Sequence, residues 1–270
     1  MFGTTSRGIF ILLPDKRIAF ISYEPYRGPL SINLSSLVQT KLPVQRSECC
    51  TFTSNYITFQ SGVEVDLSQA QVWQPKPDPE FLKSPSDLHA ALRDIARLAV
   101  ISRAGDGLSP LIADYASLKS NEAATGWLAP IRAAWEKLRE PHCDSILAVE
   151  SLLDECLGLG RGLTPSGDDF CCGLLLALNR LPAANQPAGL KELNAHLTRS
   201  AWKRTSTLSA NLIECAAQGS ADERLITVRD GLFSANISPE EAWRHLSGYG
   251  STSGVDYLFG LIAAQPWVQY

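Results

Sequence analysis

Ser166, Gly167 and Asp169 recur as Ser253, Gly254 and Asp256, and Gly173, Leu174 and Ala177 recur as Gly260, Leu261 and Ala264, all at one offset of 87 residues. Gly158, Gly160 and Gly162 precede the first copy, and Gly248 and Gly250 precede the second. An apolar run follows each. A loop that turns into a helix start in this way presents backbone N–H groups, which favour a bound anion. The hydroxyls of Thr164, Ser166, Thr252 and Ser253 suit a phosphate or a carboxylate. Arg161 would add a bidentate contact. Asp168, Asp169 and Asp256 would repel an anion, and a Mg²⁺ ion between them would reconcile the two, since hard cations take oxygen ligands and bridge to phosphate. The Gly-Lys-(Ser/Thr) ending of a P-loop is missing.

A plainer reading accounts for part of the pattern. Ser166-x-x-Asp169 and Ser253-x-x-Asp256 both fit a capping box, in which the serine accepts from the N–H three residues on. That explains the serines and one acid per copy. It leaves the alternating glycines and Asp168 unexplained, because glycine is costly unless an unusual backbone angle or a close approach requires it. Gly173 and Gly260 each lie seven residues after their serine, roughly 10 Å along a helix. If the two helices run in parallel and cross there at a small angle, the two loops meet. Lys203-Arg204-Thr205-Ser206-Thr207-Leu208-Ser209, with two cations and four hydroxyls, is a further segment that could join them, with Arg204 as a candidate anion contact. The four histidines are scattered, and none recommends a Ser-His-Asp triad. Tryptophans 127, 135, 202 and 243 fall on helical segments and read as core.

The elements that would position these loops follow from pattern. Gly8–Leu13, Ile18–Tyr23, Tyr56–Phe59 and Val63–Leu67 read as strands, the last two joined by Gln60-Ser61-Gly62, and Val72-Trp73 would close the set. Gln74 to Pro79, with alternate prolines, reads as a linker. Beyond it, Ser84-Pro85-Ser86-Asp87 starts a helix with Leu88, Leu92, Ile95, Leu98 and Ala99 at helical spacing. Further helices are expected over 127–139, 145–157, 168–180, 190–200, 205–218, 240–247 and 255–264. The fold class is α+β: a small antiparallel β barrel or sandwich over 1–79, then an all-α domain over 80–270 that carries the repeated loops.

Composition bounds the partners. A net charge of −4 with no block of like charges gives no footprint for nucleic acid. Seven cysteines, without a Cys-x-x-Cys pair, argue against a disulfide framework or a zinc site. No signal-peptide pattern and no apolar run of bilayer length are visible, so a cytoplasmic protein away from membranes is expected.

At Gly158–Asp169, and again at Thr252–Asp256 with Gly260, the chain resembles a bacterial family with the hallmark Gly-x-Gly-x-Gly-Leu-Thr-Pro-Ser-x-Asp-Asp followed later by Thr-Ser-Gly-x-Asp. The family includes the small third subunit of the oxamate carbamoyltransferase of anaerobic allantoin breakdown, which exchanges a carbamoyl group between oxalurate and phosphate. The resemblance implies a small anionic substrate, such as carbamoyl phosphate or a carboxylate, and a hetero-oligomer with larger enzyme subunits. On that reading Gly160, Gly162, Thr164, Ser166, Gly167, Ser253 and Gly254 bind the anion. Asp169 and Asp256 orient the loops or a metal, and Asp168 is the proton acceptor or a metal ligand. Two alternatives stand beside it: a noncatalytic scaffold or sensor subunit, and a Mg²⁺-dependent hydrolase using Asp168 and Asp169.

Overall fold

Alternating isoleucines build the first unit. In the computed structural model, which describes residues 3–35, 41–75, 82–103, 105–118, 126–139, 146–234 and 237–268, two compact units appear, Met1–Pro75 and Lys76–Tyr270. The first holds β1 (Gly3–Thr4), β2 (Gly8–Leu12), β3 (Ile18–Ser22) and β4 (Ser31–Asn33) in one sheet. A second sheet holds β5 (Cys50–Phe52), β6 (Tyr56–Phe59) and β7 (Glu64–Asp66). Strand alternation puts every second side chain on one face. Ile9, Ile11 and Ile21 of the first sheet therefore share a core with Ile57, Phe59 and Val65 of the second. The β6–β7 turn forms where expected, with Gly62 at φ 82 and its N–H donating to the Phe59 carbonyl.

Two expectations for this unit change. β4 pairs with β3 in parallel (Ile21 opposite Ile32), so the set is not wholly antiparallel. Val72-Trp73 forms no strand, and Val72 is 89% exposed, with no sheet edge to shelter it. The proline stretch from residue 76 and the boundary near residue 80 lie outside the described residues.

The second unit is helical: α1 (Pro85–Ser102), α2 (Ser109–Tyr115), α3 (Leu128–Leu138), α4 (Ile146–Cys156), α5 (Ser166–Asn179), α6 (Leu190–Arg204), α7 (Thr207–Ala216), α8 (Glu223–Phe233), α9 (Pro239–Ser247) and α10 (Ser253–Ala263). Ser84 caps α1, accepting from the Asp87 N–H, with Pro85 at the first helical position, where its missing donor costs nothing. α5 is buried from Ser166 to Leu178 and α10 from Gly254 to Ala263. A helix apolar on all sides belongs at the centre of a bundle. These two form the central pair, with α4 and α7 packed on α5, and α9, α2 and α1 on α10. Trp135 is core, edge-on to Phe259 at 5.1 Å. Among the described residues, no helix is long and apolar enough to cross a membrane.

Candidate functional site

The central pair crosses at the two repeated glycines. A Cβ at Gly173 would collide with the Tyr257 carbonyl oxygen and lie 3.1 Å from the Gly260 Cα. A Cβ at Gly260 would collide with the Phe170 carbonyl and lie 2.6 Å from the Leu174 nitrogen. Only two glycines allow backbones this close. Phe170 and Phe259 stack beside the crossing, with ring centroids 5.4 Å apart. The helices run in the same sense, so their N-terminal loops meet: Thr164 Oγ1 lies 3.1 Å from Ser253 Oγ.

The capping boxes do not form. Ser166 and Ser253 sit at the first helical position, behind Pro165 and Thr252, and neither helix start has a side-chain cap. The hydroxyls cross over instead. Ser166 faces Asp256 of the other helix, and Ser253 faces Asp169, with Thr252 and Thr164 beside the respective carboxyls, and each hydroxyl favours the charged form of the acid it faces. Each acid thus answers the serine of the opposite copy. Burial pushes Asp256 up to about 6 against these hydroxyls and the Leu108 N–H. Burial pushes Asp169 well above the usual carboxylate range, and the neighbouring Asp256 charge raises it further. The Oδ2 atoms of both acids lack a hydrogen-bond partner of normal geometry.

Asp168 has a different task. Its Oδ1 accepts from the Gly158 N–H at 2.8 Å and its Oδ2 from the Thr205 hydroxyl. Ser206 Oγ donates to the Leu163 carbonyl at 2.7 Å. The Lys203–Ser209 segment therefore does join the first loop, through Asp168 and through backbone contacts rather than through its cations. Arg204 is bound to Asp154 at 2.6 Å. With both oxygens engaged, Asp168 ties the Gly158 backbone to Thr205 across the first loop. Asp168→Ala should lower stability by about 2 kcal/mol, the cost of leaving the half-buried Gly158 N–H and the Thr205 hydroxyl without their partner. Urea unfolding measures this, and an unchanged midpoint would show that the loop does not depend on Asp168.

Two glycines expected to present N–H groups to an anion are also occupied. The Gly167 N–H donates to Leu159 O at 2.8 Å, and the Gly254 N–H to Tyr249 O at 3.1 Å. Any Cβ there would strike the Cys156 and Leu246 carbonyls respectively. Gly160 earns its residue type by backbone angle, with φ 116 and the Ser166 nitrogen 2.6 Å from a Cβ. Arg161, Gly162 and Leu163 form the exposed tip, and Thr164, Thr252 and Ser253 are half-buried beside it. Asp168 is filled by protein donors, and among the described residues no three His, Cys, Asp or Glu side chains are grouped to share an ion.

One contributor was missed in the sequence. Leu108 donates its N–H to Asp256 Oδ1 at 2.6 Å, and Gly107, at φ 51, leaves no room for a side chain beside that carboxylate. The signal was present: Gly105-Asp106-Gly107-Leu108-Ser109-Pro110 matches Gly160-Arg161-Gly162-Leu163-Thr164-Pro165 in the order Gly-x-Gly-Leu-(Ser/Thr)-Pro.

The model of the family described as oxamate carbamoyltransferase subunit AllH matches residues 156–265. That stretch runs from the end of α4 through α10 and includes both Ser-Gly-x-Asp loops. The resemblance read from Gly158–Asp169 and Thr252–Gly260 is borne out over it. The matched family is one of carbamoyltransferase subunits. No solved structure matches the chain.

Proposed function

We propose that this chain is a subunit of an oxamate-type carbamoyltransferase of allantoin breakdown in the cytoplasm. In this reading the joined loops at the starts of α5 and α10 hold a small anion, carbamoyl phosphate or a carboxylate. The observation that carries it is the meeting of the two loops, with Thr164 and Ser253 hydroxyls 3.1 Å apart at two parallel helix starts. Two such starts add their positive ends at one place. The exposed Arg161 and Gly162 stand at the rim. Carbamoyl transfer needs the donor and acceptor held in line and the charge on the leaving phosphate met by fixed donors. Hydroxyls and helix ends supply the second requirement without a proton donor.

A second reading rests on the engagement of Asp168. With its oxygens bound by Gly158 and Thr205, the surface of the loops lacks the acid expected as a base. The reacting groups would then come from larger partner subunits, and this chain would position the anion.

Phosphate or carbamoyl phosphate at 100 times its dissociation constant should add about 2.7 kcal/mol of stability. For a chain of this size that is a rise of roughly 5–11 °C in Tm. The shift should vanish in a Ser166→Ala Ser253→Ala variant that still folds. No shift in the subunit or in the reconstituted assembly would reject the anion site. Transferase activity in the assembly but not in the isolated chain would favour the second reading.

A further inference from the structure

Each glycine-rich loop is held at its entry glycine, and the two ties differ in chemistry. At the first loop the Asp168 carboxylate accepts the Gly158 N–H. At the second, the Arg224 guanidinium donates through Nη1 to the Gly248 carbonyl at 3.0 Å. The same guanidinium lies over the ring of the next residue, Tyr249, 5.2 Å from its centroid. Its other edge is fixed. Nε and Nη2 donate to the two oxygens of Asp222, each at 2.9 Å, in a planar fork that lysine cannot reproduce. Asp222 is in turn fixed as the cap of α8, where it accepts the Arg224 N–H. Arg224 is 5% exposed. A buried ion pair adds little or no stability over apolar side chains of similar volume. Its contribution here is the position of a loop.

We propose that Arg224, anchored by Asp222, is a positioning residue for the second loop of the anion site, fixing Gly248 and Tyr249 so that Ser253 meets Thr164. The path between them is short. The Tyr249 carbonyl accepts the Gly254 N–H at 3.1 Å, which closes the loop back onto the start of α10. Gly250, at φ 68, brings its backbone against Ser253, where a Cβ would lie 2.9 Å from the hydroxyl oxygen. Ser253 is thereby set at the first position of α10, 3.1 Å from Thr164. A shift at Gly248 is carried through Tyr249 into these hydroxyls. Arg224 thus acts through the loop, with its guanidinium engaged by Asp222 and Gly248. The effect on anion binding rests on the carbamoyltransferase-subunit reading; the bracing of the loop rests on these contacts alone.

Amide hydrogen exchange, thermal unfolding and phosphate titration of the intact chain test this in an Arg224→Met Asp222→Asn double variant. The two changes remove both charges together, and asparagine still caps α8. Tm should stay within about 4 °C of the wild type. Exchange at the Tyr249 and Gly254 amides should quicken, while exchange at Gly158 and Gly167 of the first loop should not. Phosphate affinity should fall about tenfold or more, because displaced donors lose their hold on the ligand. Arg224→Lys, which keeps the charge without the fork, should show both losses. Unchanged exchange at Tyr249 and Gly254 would overturn the proposal. So would uniformly faster exchange across the helical unit, or a double variant that fails to fold, since the pair would then serve stability alone. A loosened second loop with undiminished phosphate affinity would also overturn it. A wild type without any response to phosphate would reject the anion site, and loop-selective exchange in the variants would then still support Arg224 as the brace.

Discussion

Gly173→Leu should leave the helical unit without a cooperative unfolding transition, and Gly173→Ala should cost about 3 kcal/mol, the upper end for overpacking a close-packed interior. The obstruction is backbone. A methyl at Gly173 meets the Tyr257 carbonyl and the Gly260 Cα, neither of which can rotate away as a side chain would. Relief requires α5 and α10 to separate, and both are buried along nearly their whole length. Separation also parts Thr164 from Ser253 and each aspartate from the opposite serine. The loss for Gly173→Ala corresponds to a fall of roughly 6–12 °C in Tm. Phosphate should then rescue part of the loss if the joined loops bind it, because a ligand that binds only the native state stabilises it by mass action. Thermal unfolding with and without phosphate measures both. A Gly173→Ala protein with unchanged Tm would show that the crossing can open without consequence.

The repeat made this crossing legible. A constant offset of 87 residues places serine, acid and glycine at equal heights on two helices, and equal heights bring the loops together only when the helices are parallel. The same spacing misled on the serines. Ser-x-x-Asp reads identically whether the hydroxyl serves its own helix or its neighbour, and here it serves the neighbour. α8 escaped pattern reading because its buried face includes Arg224 and Arg229 as well as Leu225 and Val228. Arg229 is fully buried because it donates to the Ala177 carbonyl and meets Asp230, partners that no local periodicity reveals. α2 has seven residues, too few to show a period. The strands were legible from their isoleucines, but three-residue β4 carries no alternation to read. At the site, hydroxyls and glycines were found by type. Which acids are free was not, because that depends on Thr205, 37 residues beyond Asp168.

Asp256→Asn should stabilise the protein at pH 8 by about 3 kcal/mol and leave it nearly unchanged below pH 4. Burial raises this carboxyl from its ordinary 3.8 to about 6. Between those values the folded chain holds a proton that the unfolded chain has released. Stability contributed by the neutral acid is therefore complete below the unfolded pKa and is lost as pH rises through the folded one. Above pH 6 the wild type carries a buried charge beside Asp169, which is itself held up by burial and by that charge. Asparagine keeps an oxygen to accept the Leu108 N–H at the position of Oδ1 and removes the charge. Urea midpoints across pH 4–8 should slope downward for the wild type and flatten for the variant. Equal losses at both ends would mean that the carboxylate itself is required by the fold. The site has a stake in the same titration. An ionised Asp256 sets a negative charge behind hydroxyls that would receive an anion, so phosphate affinity should fall as pH rises through 6 in the wild type and hold steadier in Asp256→Asn, apart from the titration of phosphate itself.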